Sequence, residues 1–137
     1  MILVSSCLVG LGCRYDGTDN KTDAVLKYLE DKTWMPVCPE QMGGLSTPRQ
    51  PAEIRRDRIM TKDGEDVTAQ FVRGADEVAR LARLTGADEA ILKSRSPSCG
   101  CKKIYDGTFS GTLIDGDGLT TRALKKMNVD VRSEEDV

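Results

Sequence analysis

Three cysteines in this chain stand just past apolar runs, each in a turn-forming setting. Cys7 follows "MILVSS", Cys38 follows "WMPV" and precedes Pro39, and Cys99 sits in "SPSCGC" (96–101) after "AILK" (90–93). A thiolate is both a nucleophile and a soft metal ligand, so four chemistries come into view: a disulfide, a zinc knuckle, a nucleophile or an iron–sulfur ligand. Composition narrows them. The chain has five cysteines and no histidine. An odd count argues against a disulfide framework. Without histidine, this chain alone builds no Cys–His zinc site, no Ser-His-Asp triad and no Cys–His nucleophile. The spacings Cys7-x5-Cys13 and Cys99-x-Cys101 do not match paired CxxC knuckles, and Arg14 falls one position too far from Cys7 for a Cys-x5-Arg phosphatase loop. Copper remains compatible with soft thiolates. So does a cluster held by three cysteines: [4Fe–4S] ordinarily takes four, and three would leave one iron open as a Lewis acid.

Other groups near these cysteines can do chemistry or merely shape the chain. Glu40, in "CPE", projects toward the same edge and suits a general acid or base, although a surface glutamate after proline explains it about as well. Ser96 and Ser98 flank Pro97 and either orient a ligand or stabilise the turn. Arg14, Tyr15 and Asp16 form an "RYDG" turn that can also line a pocket. Lys93 places a charge at the end of an apolar run and is the least comfortable residue to explain structurally. Arg49 suits an anionic group or solvent. Cys13 and Cys101 end no strand, and packing accounts for them as well as ligation does.

The elements that must position these groups follow from the hydrophobic pattern. Continuous apolar runs at 1–7, 34–38 and 89–93, with "VDV" at 129–131, predict four strands, the second shortened by its prolines. Helices are predicted at about 22–31, 67–84 and 117–127, the second capped by Asp66 or Thr68 and stopped by Gly86. Residues 39–62 hold three of the five prolines and read as a long ordered excursion. "IYDGTFSG" (104–111) fits a tight hairpin or irregular loop, and "RSEEDV" a short solvated tail. Alternating strands and helices give a single α/β domain over 1–137 with a mostly parallel sheet of about four strands. Ligand sites in such sheets lie at the carboxyl ends of strands. Cys7, Cys38 and Cys99 therefore meet at one edge.

Composition and charge bound the remaining possibilities. Hydrophobic residues at 39% and charged residues at 31% describe a globular chain with a real core. A net charge of −2 gives no basic footprint for nucleic acid, though a small nucleobase needs only a pocket. The N-terminal run lacks the charged flank and the length of a signal peptide, and no stretch is long enough to span a membrane as a helix. A cytoplasmic protein with reduced thiols is expected.

The motifs "CLVG…RYDG" (7–17), "PVCPEQMGGLSTPRQPAEI" (36–54), "ILKSRSPSCG" (91–100) and "IYDGTFSG" (104–111), in that order along nearly the whole chain, resemble the thiouracil desulfurase family, small bacterial iron–sulfur domains. The resemblance implies a Rossmann-like three-layer α/β sandwich and a [4Fe–4S] cluster bound by three cysteines with one open iron. By position the ligands are Cys7, Cys38 and Cys99, the three selected by the strand-end argument. The implied catalytic residues are Glu40 for the protons and Ser96 for positioning, with Ser98, Arg14, Tyr15 and Lys93 expected at the substrate. The implied reaction is a non-redox, hydrolytic desulfuration of a thiolated nucleobase or nucleoside to uracil and sulfide. Related domains fused to a second domain act on tRNA; the chain's charge favours a free base or nucleoside. The rival reading is a non-catalytic iron–sulfur, metal or sulfur carrier using the same thiols, and a structural zinc domain stands as a third.

Overall fold

The structure, a computed structural model, describes residues 1–137. The chain begins β1 (Ile2–Ser5), α1 (Asp23–Leu29), β2 (Trp34–Val37), α2 (Pro39–Met42), β3 (Ala52–Arg55) and β4 (Arg58–Thr61). It continues α3 (Thr68–Thr85), β5 (Glu89–Leu92), β6 (Lys103–Tyr105), β7 (Leu113–Asp115), α4 (Leu119–Lys126) and β8 (Asp130–Ser133). Strands β2-β1-β5-β8, in that spatial order, form one sheet in which every pairing is parallel.

Side-chain alternation along the central strands divides the core into two layers. Ile2, Val4 and Ile91 point to one face and meet Val25 and Leu29 of α1. Leu3, Ala90 and Leu92 point to the other and meet Val78 and Ala82 of α3 and Leu124 of α4. The register, Leu3 beside Ala90 and Val4 beside Ile91, keeps like faces together. Leu3, Leu92 and Leu124 are each fully buried, worth about 1.5–3 kcal/mol apiece. The result is the expected three-layer sandwich. From β1 the sheet grows one way to β2 and the other way to β5, so the crevice at its carboxyl edge opens beside β1, where ligands bind in this architecture.

Three expectations need correction. The 39–62 excursion is not one loop: it contains α2 and an antiparallel β3–β4 hairpin whose Ile54 and Ile59 pack with Phe71 and Ile104 in a third apolar cluster. Strand β1 stops at Ser5, because a 3-10 turn over Ser6–Val9 takes over and carries Cys7. The tail is docked, with only Glu135 and Asp136 exposed. Arg132 and Ser133 extend β8, and a 3-10 turn at Glu134–Asp136 folds back so that Glu134 accepts from Lys93 and Ser94. Helix α3 matches its predicted bounds closely, with Asp66 receiving the Thr68 amide at its start and Gly86 at φ +68° ending it. The "IYDGTFSG" motif forms the β6–β7 hairpin around a wide loop. No helix is long and apolar enough to cross a membrane.

Candidate active site

The carboxyl edge of the sheet opens into a cavity of about 390 Å³ lined by Cys7, Cys13, Cys38 and Cys99 together with Glu40, Arg49, Lys93, Ser96, Tyr15 and Tyr105. Each thiol has its own support. Cys7 sits on the turn that follows β1; Cys38 is the residue before α2, with Pro39 opening the helix. Cys99 lies in the loop after β5, and that loop is held by the start of α4. The Leu119, Thr120 and Thr121 amides bond the Pro97 and Ser98 carbonyls, and the Thr121 hydroxyl donates to the Cys99 carbonyl at 2.9 Å. Loop carbonyls thereby satisfy amides that every helix start leaves without partners. Gly118 makes this approach possible, since a Cβ there would stand 2.5 Å from the Ser98 carbonyl.

Electrostatics separate the four thiols. Cys13 packs with Cys7 in one apolar cluster, with Cys38 against its edge. These neighbours, Cys38 first and Cys7 second, raise its own pKa and keep it protonated. Cys13 in turn lowers Cys7 against the cost of burial. The same neighbour, helped by the Gln41 backbone amide, brings Cys38 down to about 7. Cys99 behaves differently: burial pushes it up to about 12 although Ser5 and Ser98 hydroxyls reach its sulfur at 3.4 and 3.6 Å. No three Cys, Asp or Glu side chains converge closely enough to hold a single metal ion. The thiols instead stand around a cavity. That arrangement fits a multi-iron group, which takes its ligands at separate corners, and not a lone zinc.

Glu40 is the best-supported acid at the site. Its Oε2 accepts from the Ser98 hydroxyl at 2.9 Å, and its Oε1 from Arg49 Nε at 3.2 Å. Arg49 is almost wholly buried (side chain 8% exposed), and its other donors are committed: Nη1 to the Thr47 hydroxyl, Nη2 to the Cys13 carbonyl at 2.7 Å. It is a clamp between three segments, not the free anion site its sequence context suggested. Glu53 also lines the cavity, but its carboxylate receives the Gly107 and Phe109 amides and pins the "YDG" loop that carries Tyr105.

Most expected residues are brought together and some change place. Ser96 faces the cavity, where its Oγ accepts the Cys99 amide at 2.7 Å and lies 3.2 Å from the Ser98 hydroxyl. Ser98, expected at the substrate, is buried (1% exposed) behind this wall and serves Glu40. Arg14, Tyr15 and Lys93 line the cavity as expected, Lys93 paired with Glu134 at 2.8 Å. Cys101 points away, its sulfur 3.6 Å from the Val131 carbonyl. Cys13, for which packing and ligation stood as equal readings, is buried like a packing residue and also lines the cavity as a fourth thiol. Ser5, Arg49 as clamp and Glu134 were also missed. A charge at the end of an apolar strand does signal that a partner such as Glu134 must exist; nothing in the spacing of Cys13 signals its neighbours.

The comparisons with known proteins agree with this picture. A family model described as 2-thiouracil desulfurase matches residues 2–136. "Uncharacterized protein YbbK" of Bacillus subtilis (strain 168) is 43% identical over 147 residues, covering all of this chain and 97% of that protein. The solved structure of "[4Fe-4S]-dependent thiouracil desulfidase TudS" superposes with a TM-score of 0.93 at 42% identity, over 99% of this chain and 91% of that one. The chain belongs to the 2-thiouracil desulfurase family.

Proposed function

We propose that this protein is an iron–sulfur-dependent desulfurase that converts thiouracil to uracil and sulfide, and that Cys7, Cys38 and Cys99 hold its [4Fe–4S] cluster. The observation that carries the reading is the shared cavity: thiols from three strand ends and a clamped Glu40 face one space. When bound, a cluster with three thiolate ligands supplies an open iron that polarises the substrate's sulfur.

The rest of the work falls to the chain. Exchanging C=S for C=O with water delivers both water protons to sulfur, so a group must take protons from water and return them. Glu40 has that role, because Ser98 and Arg49 occupy one lone pair on each carboxylate oxygen and leave others for water. Glu53 shares the cavity, but its Oε1 receives the Gly107 and Phe109 amides and serves to hold that loop. Ser96 and Ser98 form a hydroxyl chain that ends on Glu40, with Ser96 at the cavity end able to position the substrate or the departing sulfur. Tyr15 and Tyr105 line the cavity and are the aromatic groups there available to a planar base. The substrate is a small thiolated pyrimidine, base or nucleoside.

The test is anaerobic cluster loading of the protein and of Cys7→Ser, Cys38→Ser and Cys99→Ser, read as iron content and as sulfide released from thiouracil. Each substitution should lower both. Full loading in any one of the three removes that residue from the ligand set. A carrier is distinguished by Glu40→Ala: a carrier binds iron equally with or without Glu40 and has no turnover to lose.

A further inference from the structure

Of the two carboxylates that line the cavity, Glu40 is paired with Arg49, whereas Glu53 has no lysine or arginine partner although it is only 8% exposed. Its support comes from the backbone: Oε1 accepts the Gly107 amide at 3.1 Å and the Phe109 amide at 3.2 Å. That contact is built in. Glu53 is fixed opposite Met60 in the β3–β4 ladder. Gly107, at φ +93°, lets the loop lie against β3, since a Cβ there would stand 2.7 Å from the Ile54 carbonyl oxygen. The second oxygen is different. Oε2 receives no donor from the chain. The buried side-chain atoms that lack a partner are Thr120 Oγ1 and Arg132 Nε, so Oε2 is not sealed in and keeps some exposure.

An ionised carboxylate only accepts, and its hydrogen bonds are roughly twice as strong as those between neutral groups. A thiouracil ring offers N–H donors at N1 and N3. N1 is the glycosidic nitrogen, so N3–H alone is common to base and nucleoside. We propose that Glu53 is a specificity-determining residue whose Oε2, facing the cavity, accepts the N3–H of the pyrimidine ring. This rests on the desulfurase reading above and names the ring class that the site admits. Uracil-type rings carry a hydrogen on N3 and are held. Cytosine-type rings, whose N3 is itself an acceptor, set lone pair against lone pair. The anchoring of Oε1 also fixes what a substitution does. In Glu53→Gln the Gly107 and Phe109 amides still require an oxygen, so the carboxamide NH2 takes the place of Oε2. An acceptor becomes a donor while the loop stays held.

The test is calorimetric binding to the full-length, anaerobically cluster-loaded protein. Its ligands are sulfur-free rings, so that turnover does not enter: uracil, 3-methyluracil and cytosine. Wild type should bind uracil at least about tenfold more tightly than either of the others. Glu53→Gln should weaken uracil by about tenfold or more and strengthen cytosine, with iron content and the urea midpoint unchanged. Uniform weakening of all three rings is a loop defect and overturns the specificity role. So does a wild-type preference retained in Glu53→Gln, an absence of uracil binding, or equal wild-type binding of uracil and either other ring. The wild-type comparison needs no variant, so it decides the matter even where Glu53→Gln fails to fold. Sulfide release from thiouracil by wild type is measured beside it. Release together with indifferent binding strikes the role of Glu53 alone, whereas no release strikes the desulfurase reading and this proposal with it.

Discussion

At the scale of residues, the site is a set of side chains whose freedom has been removed by neighbours. Glu40 is fixed at both oxygens, which sets its position at the cavity. Glu40→Gln keeps the shape and most of the hydrogen bonding but cannot move protons. Turnover should fall by about 10²–10⁴-fold with iron content unchanged, measured as sulfide release beside iron analysis. A parallel fall in iron would mean that Glu40 holds the site together and does not handle protons. Arg49→Met leaves a largely buried carboxylate without its partner and frees the Cys13 carbonyl. Unfolding free energy in urea should drop by about 2–4 kcal/mol; a change within ~0.5 kcal/mol would show that the clamp does not stabilise the fold. Part of this was legible beforehand. Glu40 and Cys99 sit in sequence beside the groups they serve, and "CPE" and "SPSCG" draw attention to both. Ser98 and Ser96 were also legible as a pair, but which faces the cavity depends on how the turn rotates about Pro97. Spacing does not reveal that.

At the scale of elements, the position of Cys38 and Glu40 depends on how closely α2 packs on α3. Gly74 sits inside α3, where glycine costs about 1 kcal/mol relative to alanine. The structure gives the reason: a Cβ on Gly74 would lie 2.0 Å from the Pro39 carbonyl oxygen, and one on Gly43 would lie 2.0 Å from that of Gln70. Both obstacles are backbone, so neither can rotate away. Gly74→Ala should therefore destabilise by a net ~1–3 kcal/mol in spite of its better helix propensity, and lower cluster loading by moving Cys38. A stabilised variant would disprove the close crossing. The C-terminal turn makes a second prediction. Burial opposes ionisation of Glu134, but Lys93 and Ser94 outweigh it and hold its pKa below the ordinary 4.5. A carboxylate depressed on folding contributes stability above its unfolded value and loses it as pH falls through the folded one. The wild type's advantage over Glu134→Gln, by urea unfolding, should be full at pH 7 and shrink below about 4.5. An advantage independent of pH would mean that packing, not charge, docks the turn. The tail was misread because "RSEEDV" has the composition of a solvated end, while its partner Lys93 is 41 residues away in sequence.

At the scale of the whole molecule, the sheet order determines what meets. Placing β1 between β2 and β5 brings the ends of all three together, so cysteines at positions 7, 38 and 99 share an edge. That convergence was readable from the apolar runs alone, because continuous runs mark strands buried on both faces. The β3–β4 hairpin was not readable: its strands are four residues each and partly charged, and their apolar residues Ile54 and Ile59 pack on Phe71 and Ile104, which are distant in sequence. The hairpin nonetheless helps close the cavity, since Glu53 of β3 ties down the loop that presents Tyr105. The central claim is a hydrolytic desulfuration at a cluster held in this cavity. It is tested most directly by giving anaerobically loaded protein thiouracil with no reductant and quantifying both products. The account predicts repeated turnover with one sulfide released per uracil formed, and none from Cys99→Ser. Fully loaded protein that yields no uracil, or needs a reductant to do so, contradicts it.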